Sequence, residues 1–171
     1  VNITAIMDYI GGLGTISINK AYSNWSNFAS YSASLNKYSF DLVQLFSKGS
    51  NAKNGADIRM AIDIIEDMNR YPHLDTIVII GCDSDYLSIG QKIHQAGKIL
   101  IGIGVKDRTN VNWIHACNEF RYYSSLLKMT GAAVEEEEEE EEISVDDIEH
   151  AKNLVSKSIK SISSIVERDR K

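Results

Sequence analysis

The chain has 171 residues, of which 43% are apolar and 25% charged. That suits one packed domain with an appendage and is too apolar for a disordered chain. No apolar run is long enough to span a bilayer, and no basic-then-apolar leader opens the chain, so the expected compartment is the cytoplasm. The formal net charge of −6 has one source, the eight consecutive glutamates at 135–142. Without them 24 − 8 = 16 acidic side chains face 18 basic ones, a balance of +2. This near-neutral remainder neither excludes a nucleic-acid partner nor supplies a dense basic patch for one.

In chain order, "ITAIM" (3–7) reads as a buried strand ending at Asp8. "TISINKAY" (15–22) alternates as a second strand. Residues 25–37 carry a weak helical pattern, and "FDLVQLF" (40–46) reads as a third strand. "SKGSNAKNG" (47–55) is a polar loop punctuated by glycine, and 56–70 form a helix. "DTIVII" (75–80) is the most apolar strand, which predicts a central position covered on both faces. A helix over 84–96 stops at Gly97. "KILIGIG" (98–104) is the fifth strand, 110–118 a short helix, and "EFRYY" (119–123) an edge-like strand. The alternation predicts an α/β domain with a mostly parallel five- to six-stranded sheet and helices on both faces, ending near residue 129.

Residues 130–143 read as a solvated acidic linker. The segment 144–171 opens with a capping signal, Ser144 followed by Asp147. It then places Ile148, Ala151, Leu154, Val155, Ile159, Ile162, Ile165 and Val166 at helical spacing. This amphipathic helix needs a partner surface: the domain itself, a second copy in a homodimer, or a further domain that the helix opens.

Cys82 and Cys117 have no second Cys or His at zinc spacing and read as reduced, buried thiols. The acids are more informative. Ligands bind beyond the C-terminal ends of parallel strands. Asp8 closes the first strand in this reading, and Asp83 and Asp85 follow the fourth. Asp57 joins them from a helical wheel: at about 100° per residue it shares a stripe with Ile58, Ala61, Ile64, Ile65 and Met68, while Asp63 and Glu66 turn toward solvent. An acid in a first helical turn can also simply favour the positive helix end. Four carboxylates without imidazole or thiolate suit Mg²⁺ or Mn²⁺, and the chemistry such a site favours is phosphodiester hydrolysis.

"AIMD", "KNGADIRMAID", "IVIIGCDSDY", "AGKILIGIG" and "ACNEFRYY" together resemble the NYN domains, the LabA-like branch of the PIN-like nuclease superfold, over residues 3–124. The family's usual form of "GCDSDY" is Gly-Asp-Ser-Asp-Phe or Ser-Asp-Ser-Asp-Phe. The resemblance implies a parallel sheet of the PIN-like, Rossmann-like kind. It also implies a metal-dependent ribonuclease with Asp8, Asp57, Asp83 and Asp85 as catalytic and metal-binding residues. The segment 144–171 is compatible with the start of an OST-HTH (LOTUS) module, which implies an RNA partner.

Two features depart from the family pattern. Only "YIGGL" separates Asp8 from Gly14, so an Asn and a whole helix are missing there. Five residues cannot make a crossover between parallel strands. Either the sheet is rearranged or a segment is absent from the sequence at that point, and the second is the expectation. Asn24 in "YSNW" stands where relatives often have Asp.

Lys53, Asn54, Lys106 and Arg108 are candidates to touch an RNA backbone, and all four also fit as surface residues. Ser84 suits a helix cap or an RNA contact. Tyr86 can stack a base or pack at the helix start. Trp25, Trp113, His94 and His115 read as structural, and Gly102 and Gly104 as close-packing positions rather than a phosphate loop. The leading expectation is an Mg²⁺- or Mn²⁺-dependent ribonuclease. Its rivals are a non-catalytic RNA- or protein-binding regulator of the same fold and a phosphohydrolase or phosphotransferase acting on a small molecule.

Overall fold

The computed structural model describes residues 1–46, 55–130 and 161–168. It begins with a helix, α1 (Ile3–Gly11), where the sequence suggests a strand. The physical reason lies in the spacing. Ile3, Ile6, Met7 and Ile10 are buried on one helical face, and Asn2 caps the helix by accepting a hydrogen bond from Ala5 N–H at 3.1 Å. The helix closes through Gly12 N–H, which donates to the carbonyls of Asp8 and Tyr9. The chain then enters β1 (Gly14–Ser23). No crossover is needed, because Asp8 does not end a strand.

The remaining elements follow as α2 (Ala29–Lys37), β2 (Asp41–Gln44), α3 (Gly55–Arg70), β3 (Thr76–Ile80), α4 (Tyr86–Gln95), β4 (Ile99–Gly104), α5 (Val111–Ala116), β5 (Glu119–Tyr122), α6 (Tyr123–Met129) and β6 (Ser161–Arg168). A short 3₁₀ turn, Trp25–Asn27, precedes α2. Gly97 follows α4 with φ +70, a left-handed conformation that glycine adopts without a Cβ penalty.

The sheet has six strands in the order β2-β1-β6-β3-β4-β5. β1–β2, β3–β4 and β4–β5 are parallel. The exception is β6, which lies antiparallel between β1 and β3. This corrects the helix expected over 144–171: residues 161–168 are a strand inside the sheet, and 144–160, like the acidic run, lie outside the described residues. Its first residues, Ser161 and Ile162, pair with Tyr22 and Ile80 at the C-terminal ends of β1 and β3. Ser163 and Ser164 are buried there. Buried hydroxyls need partners. Ser163 engages the Tyr22 hydroxyl, and Ser164 Oγ donates to Asn19 Oδ1 at 2.8 Å.

Helices cover both faces. α3, α4 and α5 pack Met60, Ile64, Ile89, Ile93 and Trp113 onto Ile77, Ile79, Leu100 and Ile165. α1, α2 and α6 pack Ile6, Ile10, Leu35 and Leu126 onto Ala21, Val78, Ile101 and Ile103. Alternate residues of β3 and β4 thus feed opposite cores, which explains their unbroken apolar runs. Among the described residues, no helix is long and apolar enough to cross a membrane.

Candidate active site at the C-terminal edge of the sheet

The exits of β3 and β4 are bonded to each other. Gly81 N–H donates to Ile103 O at 2.9 Å, and Asn110 N–H donates to Cys82 O at 3.1 Å. Val105 N–H approaches Cys82 Sγ at 3.4 Å. The turn after β4 is closed by Thr109 Oγ1, which donates to Val105 O at 2.7 Å. This turn carries Lys106 and Arg108, both exposed, beside the turn that carries Asp83 and Asp85. Gly102 and Gly104 serve packing as expected: a Cβ on Gly102 would strike Cys117 Sγ and Phe120, and one on Gly104 would strike Thr109 Oγ1 and Phe120.

Asp83 and Asp85 are both exposed. Asp83 Oδ1 accepts hydrogen bonds from Asp85 N–H at 3.2 Å and from Ser84 Oγ at 3.3 Å. The Asp83 carboxylate therefore braces the turn into α4. Ser84 gives its hydroxyl to Asp83 and its carbonyl to Leu87 N–H.

Tyr86 joins two of the acids. Its ring is buried, edge-on to Trp113 at 5.3 Å between centroids. Its hydroxyl is hydrogen-bonded to Asp57, in the first turn of α3, and it also lies within the field of Asp83. Burial, then the Asp57 charge, pushes the phenol far above its ordinary range, so it remains a proton donor to the carboxylate. The sequence shows the extra hydroxyl, since "GCDSDY" ends in Tyr where the resembled pattern ends in Phe, but not its partner.

The four expected acids do not converge. The Tyr86 hydroxyl bonds Asp57 and lies within the field of Asp83, with Asp85 on the same turn as Asp83. Asp8 is exposed on α1. The Tyr9 hydroxyl beside it donates to Glu119 Oε1, at the start of β5, at 2.8 Å. The other end of α1 lies near the end of β5, where Asn2 N–H donates to the Tyr123 hydroxyl at 2.6 Å. Asp8 thus belongs toward the opposite edge of the sheet. The helix that runs into "GTIS" is α1, and it carries Asp8 within it. Lys53 and Asn54 lie outside the described residues.

The wheel also needs correction. α3 buries Ala56, Met60, Asp63, Ile64, Asp67 and Met68 and exposes Ile58, Ile62 and Ile65. Asp63, expected toward solvent, is 7% exposed. It accepts from the Tyr22 hydroxyl at 3.1 Å and from Arg59 Nε at 2.8 Å. Asp67, 5% exposed, pairs with Lys20. Partners on β1 and on α3 itself make these burials tolerable, and one helix's periodicity cannot reveal them.

Among the described residues, no group of three or more His, Cys, Asp or Glu side chains is gathered at a metal-holding site, so the four-acid cage is not formed. A smaller donor set suits one kind of ion. Mg²⁺ keeps several waters and takes only one or two protein carboxylates, so Asp57 and Asp83 are the side chains that could hold it.

A family model for the NYN domain matches residues 1–127. Among solved structures, the chain resembles the crystal structure of a protein of unknown function from Vibrio parahaemolyticus RIMD 2210633. Identity is 22% and the TM-score 0.52, over 61% of this chain and 67% of that one. At that identity the likeness shows the fold alone. No curated protein matches in sequence.

Proposed function

From the premise that the chain belongs to the NYN domain family, with its PIN-like nuclease-type fold, we propose that it hydrolyses RNA phosphodiester bonds at the C-terminal edge of the sheet. The observation that supports this reading is that the Tyr86 hydroxyl, bonded to Asp57, also lies within the field of Asp83, beside a turn presenting Lys106 and Arg108. A carboxylate pair next to exposed cations suits a phosphodiester better than a neutral substrate.

In this reading Asp57 and Asp83 would hold Mg²⁺ or Mn²⁺, and such an ion, when bound, supplies Lewis acidity and charge neutralisation. The chain's own groups do the rest. Lys106 and Arg108 draw the RNA backbone to the edge, and Ser84 is an RNA contact of the same turn. Tyr86 fixes the orientation of Asp57. Asp83 and Asp85 flank the attacking water. One P–O bond forms to the water oxygen, one breaks to the leaving ribose oxygen, and the water proton ends on that oxygen. Asp8 has no part in this set. Both cysteines are free thiols, which supports a reducing compartment such as the cytoplasm. The motifs that resemble the LabA-like branch support placing the chain there.

The test is cleavage of an end-labelled single-stranded RNA by the purified chain with Mn²⁺ or Mg²⁺, with and without EDTA. Cleavage abolished by EDTA and restored by excess ion is expected. RNA binding without cleavage under any divalent ion would replace the nuclease with an RNA-binding regulator.

A further inference from the structure

The outward face of α3 has no role in the site, yet it is apolar. Ile58, Ile62 and Ile65 are 60%, 55% and 40% exposed, and they stand on the side of the helix opposite Met60, Ile64 and Asp67. A single exposed isoleucine needs no explanation. Three at alternating spacings of four and three residues form the seam of a packed helix pair, and Asn69 continues the same spacing. A helix apolar on both sides is one covered on both sides.

The charges say what covers it. Arg59 and Glu66 flank the seam on one side and are both solvent-facing, with side chains 54% and 58% exposed. Turn a second α3 antiparallel about a twofold axis through Ile62. Ile62 then faces itself, Ile58 faces Ile65 of the second copy, and Arg59 faces Glu66 of the second copy, twice. Gly55, with no side chain, stands opposite Asn69. A parallel pairing would instead turn Arg59 and Glu66 toward the opposite flank of the second copy, where Ala61 and Met68 stand, and would form neither ion pair. A surface complementary to itself under a twofold rotation is what a symmetric dimer requires. We infer that α3 is a self-association surface through which two copies of the chain pair antiparallel, with Ile62 on the axis. This dimer differs from one made through the C-terminal segment, and it does not depend on the nuclease reading.

The seam is short, so the pairing is weak and reversible. Analytical ultracentrifugation of the full chain should show monomer at about 1 µM and a growing dimer fraction toward about 200 µM. Ile62→Glu, a change at an exposed site, should weaken the dimer at least about tenfold while leaving the melting temperature in place. Oxidation tests the geometry, with the unaltered chain as the background for Cys82 and Cys117. Ile62→Cys should give a disulfide-linked dimer. Ile58→Cys alone should not, but Ile58→Cys mixed with Ile65→Cys should. A chain that stays monomeric throughout overturns the inference, whether its Ile62→Cys thiol reacts with maleimide or is shielded. Shielding in a monomer would assign the seam to the chain's own 144–160 segment. Efficient linking of Ile58→Cys to itself overturns the antiparallel arrangement.

Discussion

The Tyr86 hydroxyl, buried beneath α4, is hydrogen-bonded to the Asp57 carboxylate at the start of α3. The first turns of α3 and α4, which pack on the same face of the sheet, are tied by this bond, and it sits at the proposed site. Tyr86→Phe removes the bond and keeps the ring. The expected cost is about 1 kcal/mol of stability, the net worth of one such hydrogen bond. RNA cleavage should lose about tenfold in kcat with KM nearly unchanged, because orientation rather than RNA binding is lost. Thermal melting and steady-state cleavage together check this.

Gly81 leaves the space that Tyr86 fills. A Cβ on Gly81 would come within 2.5 Å of the Tyr86 ring and hydroxyl. Gly81→Ala should therefore push the phenol off Asp57 and strain the core, costing about 1–3 kcal/mol. Combined with Tyr86→Phe, its effect on cleavage should be less than additive, because both act through the same contact. A four-variant cycle measures that coupling.

Lys20 and Asp67 form an ion pair between β1 and α3, with side chains 18% and 7% exposed. Lys20→Met leaves a buried carboxylate without its cation and should cost about 3–5 kcal/mol. Lys20→Met with Asp67→Leu should recover most of that loss, since an apolar pair of similar volume removes the unpaired charge. Denaturant unfolding of the four proteins decides it.

Cys117 gives the fold a pH dependence. Burial raises its thiol from the ordinary 9.0 to about 12. The folded chain then holds a proton that the unfolded chain releases at lower pH. The Cys117 contribution to stability is whole below pH 9 and is lost as pH rises toward 12. Cys117→Ala should flatten this decline, which melting curves between those two pH values would show.

The strands of the parallel sheet were legible where apolar β-formers run unbroken, as in "TIVII" and "ILIGIG". So were α3 and α4, whose ends are set by the polar loop, by Asp83 and by Gly97. The misreadings share a cause. "ITAIM" is too short to separate strand from helix, and only the extension to Ile10 and the Asn2 cap decide for α1. Residues 161–168 carry Ile162, Ile165 and Val166 at helical spacing, yet they form a central strand because β1 and β3 both offer open edges to pair. Asp63 is turned outward on the wheel, and Asp67 escapes notice, because their partners, Tyr22 and Lys20, lie more than forty positions away. Of the residues in the proposed site, Asp83 and Asp85 follow from the sheet-edge rule and Asp57 from the helical wheel. The hydroxyl bond that ties Asp57 to the turn does not follow, because only the folded chain brings Tyr86 to it.

The most direct test of the central claim compares three substitutions in one assay, Asp57→Asn, Asp83→Asn and Asp8→Asn, using end-labelled single-stranded RNA with Mn²⁺. Asp57→Asn and Asp83→Asn should each lose at least about a hundredfold in cleavage rate, in line with removal of a charged group from a catalytic centre. Asp8→Asn, an exposed change on α1, should retain the full rate and stay within about 0.5 kcal/mol of the parent in stability. Full cleavage by the Asp83→Asn protein, or its loss in Asp8→Asn alone, would contradict a site built on Asp57 and Asp83.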